Sequence, residues 1–118
     1  MTRVLLVEDD EKLGRQVAEG LRAAGFDAVW ARRGDEALAA DFASFALVIL
    51  DLMLPGMSGA DLLLRIRQDA RLAGVRVVMT TGATGVRARA GSADAILMKP
   101  FGVRELLAAL KKVGVGAP

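Results

Sequence analysis

The sequence of 118 residues contains neither cysteine nor histidine. Without cysteine there are no disulfides and no thiol catalysis, and without histidine there is no Ser-His-Asp triad. Zinc fingers and histidine-ligated metals are excluded as well. A metal site in this chain must therefore use carboxylate and carbonyl oxygens, which are the ligands that Mg²⁺, Mn²⁺ and Ca²⁺ prefer.

Long apolar runs and a strong excess of one charge are also missing. Sixteen basic and fourteen acidic residues give a net charge of +2, and the basic residues form no block. We therefore expect no direct binding of nucleic acid. The N-terminal segment MTRVLLVEDD reaches its acids after a short apolar run, too short for a signal peptide or a membrane span. We expect a cytoplasmic chain without membrane contact.

Apolar residues make up 53% of the chain and charged residues 25%, a composition that can bury a core. The length corresponds to a single domain over residues 1–118. We expect its core to span residues 2–113, with residues 114–118 forming a frayed tail or the start of a linker.

Short apolar runs alternate with segments of helical periodicity. Runs that are apolar on both faces fit strands of a parallel sheet buried between helices. The sequence therefore predicts an α/β fold with a doubly wound, five-stranded parallel sheet and helices on both faces. The five runs are Val4–Val7, Phe26–Ala31, Leu47–Leu50, Val75–Thr80 and Ala95–Met98.

Two of the connections between these runs are weak in helical signal. Gly34–Ala43 fits only a short helix, and the segment GATGVRARAGSAD after Thr81 has three glycines and no apolar stripe. The fourth helix of the alternation, between the fourth and fifth strands, is therefore expected to be short or absent.

Polar residues stand where the apolar runs end. Glu8 and Asp9 follow the first run, Asp51 the third and Lys99 the fifth. Ligands of open parallel sheets bind beyond the carboxyl ends of the strands, and in the flavodoxin-like order 2-1-3-4-5 the first and third strands flank the crevice. That order would bring the three carboxylates together.

Three carboxylates and one ammonium leave this crevice with a net charge of about −2. A divalent cation would cancel that charge, and Mg²⁺ keeps coordination positions for a phosphate oxygen. Such a site suits phosphoryl transfer, in which an aspartate can itself be the nucleophile and form an aspartyl phosphate. Asp51, at the end of a rigid buried strand, is the best candidate.

Three segments, VLLVEDD, VILDLMLPGMSG and MKPF, resemble the receiver domain of bacterial two-component response regulators. The resemblance covers residues 2–113 and implies a CheY-like fold that switches conformation to control an output domain or partner. It also implies a histidine kinase or phosphotransfer protein as phosphoryl donor. The N-terminal half is most similar to receivers attached to winged-helix DNA-binding domains, and we expect a monomer or weak homodimer.

The same resemblance assigns roles to individual residues. Asp51 is the phosphoacceptor, and Mg²⁺, or Mn²⁺ in its place, is held by carboxylates and one backbone carbonyl. A threonine hydroxyl and a lysine contact the phosphoryl group, and a cis peptide bond precedes Pro100. The implied metal ligands are Glu8, Asp9, Asp51 and the carbonyl of Met53, and the implied phosphoryl contacts are Thr81 and Lys99.

Some of these positions have alternative interpretations. Asp9 could instead cap the first helix. Thr80 competes with Thr81, because neighbouring strand residues point to opposite faces. Thr81 is favoured since a small residue, Gly82, follows it.

Ile96 stands where many receivers carry a Tyr or Phe whose rotamer reports the state of the phosphorylation site. We therefore expect no aromatic switch, and activation through ordering of the loop Gly82–Gly91. A second hypothesis is an interaction module of the same fold that works without phosphorylation. A phosphohydrolase is disfavoured because Met53 stands where such enzymes commonly have a general acid, so we expect no enzyme.

Overall fold

The computed structural model describes residues 1–82 and 92–116 of the chain. Within them, strands and helices alternate, and short 3₁₀ turns at Phe42–Ser44 and Ala70–Leu72 precede two of the strands. In chain order the elements are β1 Arg3–Val7, α1 Glu11–Ala23, β2 Asp27–Ala31, α2 Gly34–Leu38, β3 Leu47–Asp51, α3 Gly59–Gln68, β4 Arg76–Thr81, β5 Ala95–Met98 and α4 Val103–Lys112.

The strands form a single parallel sheet in the order β2-β1-β3-β4-β5. This confirms the predicted doubly wound α/β fold and its strand order. The central strand β3 is buried along its whole length, which explains why its sequence, LVILD, shows no polar alternation before the final residue.

Side chains of each strand alternate between two apolar cores. Val48 and Leu50 of β3 join a cluster that includes Leu62 of α3, while Leu47 and Ile49 join a cluster that includes residues of α1 and α4. The helices therefore cover both faces of the sheet, and the face to which a strand residue points follows from its position along the strand.

Helix α2 is shorter than the segment Gly34–Ala43 predicted for it. It ends at Leu38, and the chain turns at residues 42–44 before entering β3. The turn is stabilised locally, because the Ser44 hydroxyl and backbone N–H both donate to the carbonyl of Asp41, at 2.7 and 3.0 Å. Two alanines after Leu38 offer little apolar surface to extend the helix.

Two further predictions concern the connection between β4 and β5 and the C-terminal tail. The prediction for the helix between β4 and β5, and for the loop Gly82–Gly91, falls mainly on residues 83–91, outside the described residues. Residues 114–116, expected to fray, instead follow α4 closely: Gly114 has φ of +88° and the Val115 N–H donates to the Leu110 carbonyl at 2.8 Å. Val115 is consequently buried in the core.

Within residues 1–82 and 92–116, no helix combines the length and the hydropathy that crossing a bilayer requires.

Arg67 on α3 joins three parts of the fold outside the two cores. Its guanidinium donates to the Val75 carbonyl at 2.8 Å, to the Ser92 carbonyl at 3.2 Å and to the Asp94 carboxylate at 2.6 Å. The same Asp94 carboxylate accepts the Val77 N–H at 2.8 Å. Arg67 therefore connects α3 to the start of β4 and to the segment that leads into β5.

We expect the substitution Arg67→Met to lower the free energy of unfolding by about 2 kcal/mol, because the Asp94 carboxylate and two carbonyls lose their charged donor. Denaturant titration would measure the change. Arg65→Met, at an exposed position of the same helix, is the matched control and should change stability by less than about 0.5 kcal/mol. Equal losses in both variants would contradict the role given to Arg67.

Candidate functional site

The candidate site lies at the carboxyl edge of the sheet, where β1, β3 and β5 end. Glu8 follows β1 directly, Asp51 is the last residue of β3, and Lys99 follows β5 directly. Each stands two residues beyond an apolar residue of the cluster shared with α1 and α4, namely Leu6, Ile49 and Leu97. The alternation of side chains therefore directs all three polar groups to the same face of the sheet.

Three carboxylates meet at this edge. One oxygen each from Glu8, Asp9 and Asp51 lies within 4.8 Å of the other two. Glu8 and Asp51 are buried, with 2% and 3% of their surface exposed, whereas Asp9 is exposed. The structure thus brings together the acids that the sequence predicts to converge, and it leaves one of them open to solvent.

Lys99 lies between the two buried acids. Its ammonium nitrogen is 2.9 Å from a carboxylate oxygen of Glu8 and 2.9 Å from one of Asp51. One positive charge thus faces three negative ones, so the site keeps a net charge of about −2 when all four groups are ionised.

The protonation of Glu8 and Lys99 reflects this crowding. Burial, helped by the negative charge of the neighbouring Asp51, raises the pKa of Glu8 from 4.5 to about 7, even though the hydrogen bonds from Lys99 and the Asp10 N–H act to lower it. For Lys99, burial alone would lower the pKa, but its hydrogen bonds to Glu8 and Asp51 outweigh burial and raise it. The Lys99 ammonium therefore stays charged at neutral pH, whereas the Glu8 carboxyl group gains or loses its proton near neutral pH.

The residue that caps helix α1 is Asp10. Its carboxylate accepts the Leu13 N–H at 2.9 Å, and its own N–H donates to a Glu8 carboxylate oxygen at 3.1 Å. The alternative interpretation of Asp9 as the helix cap is therefore wrong, and the Asp9 carboxylate is available to the acidic cluster.

The loop after β3 is shaped around Asp51. The Met53 N–H donates to the Asp51 carboxylate at 3.1 Å, while the Met53 side chain is 62% exposed. A Cβ at Gly59 would lie 2.1 Å from the Asp51 carbonyl oxygen, so only glycine allows α3 to begin this close to the acid. Gly59, the last residue of the GMSG segment, thus sets the backbone geometry beside Asp51.

The two threonines at the end of β4 are both buried. Thr80 is level with Asp51 in the register of β3 and β4, and Thr81 lies one residue nearer the edge of the sheet. The Thr81 carbonyl accepts the Lys99 N–H at 2.7 Å, so Thr81 and Lys99 are joined through the backbone. The phosphoryl-contacting role of Thr81 and the metal-binding role of the Met53 carbonyl both stay predictions.

Ile96 lies in β5, opposite Met79 of β4. It is half-buried and packs against the cluster that includes α3. The peptide bond between Lys99 and Pro100 is cis, as the resemblance implies.

The donor set fits a hard divalent cation. It consists of carboxylate oxygens, and its negative charge exceeds the positive charge of the neighbouring Lys99. Its exposed member, Asp9, gives access from solvent. The cluster Glu8, Asp9 and Asp51 is therefore a candidate metal site of the kind that suits Mg²⁺.

The sequence model of the response regulator receiver domain matches residues 4–111. The chain belongs to the response regulator receiver domain family. The match confirms the resemblance drawn from the three segments, and it covers the candidate metal site together with Lys99.

Curated relatives of this receiver domain are longer proteins. Sensory transduction protein RegX3 of Mycobacterium tuberculosis is 41% identical over an alignment of 118 positions, which covers 96% of this chain and 51% of RegX3. DNA-binding response regulator MtrA of Mycobacterium leprae is 40% identical over 114 residues, which cover 92% of this chain and 49% of MtrA. The chain thus spans about half the length of these relatives.

Solved receiver structures share the fold across nearly the whole chain. The response regulator TrrA of Thermotoga maritima, in complex with Mg²⁺-BeF, has a TM-score of 0.85 and 30% identity, covering 96% of this chain and 99% of that one. The non-phosphorylated HemR receiver domain of Leptospira biflexa has a TM-score of 0.86 and 33% identity, covering 100% and 98%.

The raised pKa of Glu8 predicts a pH dependence of stability without metal. The folded chain holds the Glu8 proton more tightly than the unfolded chain does, so stability from this group is present below pH 4.5 and is lost as the pH rises to about 7. In EDTA, we expect the free energy of unfolding to fall by about 2 to 3 kcal/mol over that interval because of Glu8.

Denaturant titrations from pH 5 to pH 8 would measure this slope. Glu8→Gln should flatten it, whereas Glu19→Gln, at an exposed position of α1, should leave it unchanged. A wild-type slope that persists in Glu8→Gln would assign the dependence to another group.

Proposed function

We propose that this receiver domain accepts a phosphoryl group on Asp51 from the phosphohistidine of a histidine kinase or phosphotransfer protein, in a Mg²⁺-dependent reaction. The observation that carries the proposal is the placement of Asp51. Its buried carboxylate shares a site with two other acids within 4.8 Å and with an ammonium group at 2.9 Å.

Glu8, Asp9 and Asp51 would hold the Mg²⁺ ion, with the Met53 carbonyl as a further ligand. When bound, the ion offsets charge on the phosphoryl oxygens. The complex of TrrA with Mg²⁺-BeF supports this assignment, since that protein is 30% identical over 96% of this chain.

In the transfer step, a carboxylate oxygen of Asp51 forms a bond to phosphorus as the bond between phosphorus and the histidine nitrogen of the donor breaks. The electron pair of the broken bond stays on the donor imidazole. On this chain, the Lys99 ammonium, which contacts Asp51, would pair with a phosphoryl oxygen, and Thr81, at the adjacent strand end, would supply a hydroxyl donor.

The product of this step is the phosphorylated domain, which acts as a signal, and no metabolite is released. Met53, two residues after Asp51, has a thioether side chain that cannot protonate a leaving group, so the chain lacks the general acid common in aspartate-based phosphohydrolases at that position. MtrA is named a DNA-binding response regulator, and this chain spans only half of such a protein. We propose that its output is delivered by another domain or a partner, without contact between this domain and nucleic acid.

The second hypothesis, an interaction module that works without phosphate, rests on Ile96 and on the short segment between Thr81 and Lys99. The half-buried Ile96 cannot act as an aromatic switch. The intact set of acids and lysine favours the phosphorylated receiver over this alternative, because a module without phosphate chemistry has no need to bury two carboxylates around one ammonium.

Asp51→Asn should abolish covalent labelling by acetyl phosphate with Mg²⁺, because an amide oxygen is a poor nucleophile and cannot form the acyl phosphate. Intact-protein mass spectrometry would measure the labelled fraction. Asp61→Asn, an exposed acid in the first turn of α3, is the matched control and should label like the wild type. If Asp51→Asn labels normally, another residue is the phosphoacceptor.

Lys99→Gln should separate metal binding from phosphorylation. Removing the ammonium leaves three acids without a protein counter-charge, so Mg²⁺ should bind roughly tenfold more tightly. Labelling by acetyl phosphate should nevertheless slow, since the phosphoryl oxygens lose their cationic partner.

Isothermal titration with Mg²⁺ and labelling kinetics would give the two measurements. Lys112→Gln, exposed at the end of α4, serves as the control for the loss of one positive charge. Weaker Mg²⁺ binding in Lys99→Gln than in the control would refute the electrostatic account of this site.

A further inference from the structure

Trp30, the chain's one tryptophan, is hydrogen-bonded to the backbone of Glu8, a residue of the candidate metal site. From β2, its indole N–H donates to the carbonyl oxygen of Glu8 at 2.9 Å. The Glu8 N–H in turn donates to the carbonyl of Ala31 at 3.0 Å. Strand β2 therefore holds both backbone polar groups of Glu8, one through its main chain and one through the indole.

Helix α1 makes room for the indole ring. Gly14 is buried in the first turns of α1, and a Cβ there would lie 2.2 Å from the ring atom Cζ2 of Trp30. No side chain larger than hydrogen fits at Gly14 with the ring in this position. The ring thus lies between β2 and the part of α1 that follows directly from the acidic segment.

Arg32 covers another side of the same ring. Its guanidinium carbon is 4.4 Å from the ring centroid, and a guanidinium nitrogen is 3.9 Å from the Glu11 carboxylate of α1. The cation and the ring attract each other, and the ion pair ties them to the first turn of α1. Trp30 is therefore held from both sides while it donates to Glu8.

These contacts fix the short segment from Glu8 to Asp10. The Glu8 backbone is fixed by β2, and the Glu8 carboxylate accepts the N–H of Asp10, which caps α1. Asp9 lies between these two anchored residues. Groups that orient a metal ligand through hydrogen bonds commonly set the affinity of a site, although they do not touch the ion.

We propose that Trp30 is a positioning residue for the metal site, whose indole N–H holds Glu8, and through it Asp9, in the arrangement that binds Mg²⁺. This inference rests on the proposed function of Glu8, Asp9 and Asp51 as Mg²⁺ ligands. It assigns to this chain's tryptophan a contribution to metal affinity in addition to its packing between β2 and α1.

The test separates the hydrogen bond from the packing. Because the chain has one tryptophan, a tryptophan-auxotrophic host can replace it uniformly with benzothienylalanine, which has the shape of the side chain but no N–H. We expect Mg²⁺ affinity, measured by isothermal titration, to fall about tenfold in this protein and in Trp30→Phe. Val29→Ala, a neighbouring exposed position of β2, should bind Mg²⁺ like the wild type.

A spectroscopic signature accompanies the affinity measurement. The wild type has a single indole N–H resonance, and its chemical shift should change on Mg²⁺ titration with the same dissociation constant as the heat of binding. Chemical denaturation in EDTA would compare the stability of the benzothienylalanine protein with that of the wild type. Equal stability would show that the packing of the ring is intact, so that a loss of Mg²⁺ affinity is not due to lost packing.

The outcomes are distinguishable. Weakened Mg²⁺ binding in the isosteric protein together with a saturable indole shift in the wild type supports the inference. Unchanged affinity in the isosteric protein overturns it and leaves the proposed function standing. If the wild type shows no Mg²⁺ binding that depends on Asp51, the proposed function fails, and the role of Trp30 fails with it.

Discussion

Two buried carboxylates sharing one ammonium group are the constraint around which this domain is arranged. Glu8 and Asp51 come from different strands, and Lys99 contacts both at 2.9 Å. Burying unpaired carboxylates would cost several kcal/mol each, so the lysine is needed for the edge of the sheet to close around them. One ammonium cannot offset three acids, however, so the remaining negative charge makes the site dependent on a bound cation for neutrality.

The sheet places these groups with little freedom. Strand residues alternate between the two cores, so a shift of one residue in β1 or β3 would move Glu8 or Asp51 to the opposite face. The apolar packing of Leu6 and Ile49 against α1 and α4 prevents that shift. The same side chains that stabilise the fold therefore fix the register of the site.

The strands and the convergence of the acids were predictable from the sequence, because apolar runs and their terminal polar residues are local patterns. The strand order was taken from the flavodoxin-like fold, because the sequence itself does not show which strands are neighbours. Other features could not be predicted from the sequence. Either Asp9 or Asp10 could cap α1, since both carboxylates can accept an N–H, and the backbone geometry makes Asp10 the cap. The bonds of Arg67 and Trp30 to distant carbonyls leave no periodic signal in the sequence.

The two sides of the site are supported in different ways, and this asymmetry bears on how a phosphoryl group would act. On the β1 side, Glu8 is held through its backbone by β2 and by Trp30. On the β5 side, the Lys99 ammonium is held by the acids themselves, so its position depends on their charge. A phosphoryl group on Asp51 would compete for that ammonium, and the Lys99 N–H is bonded to the carbonyl of Thr81. A change of charge at Asp51 would therefore act first on Lys99 and, through the backbone of Lys99, on the end of β4, whereas β2 holds the Glu8 backbone independently of the charge at Asp51.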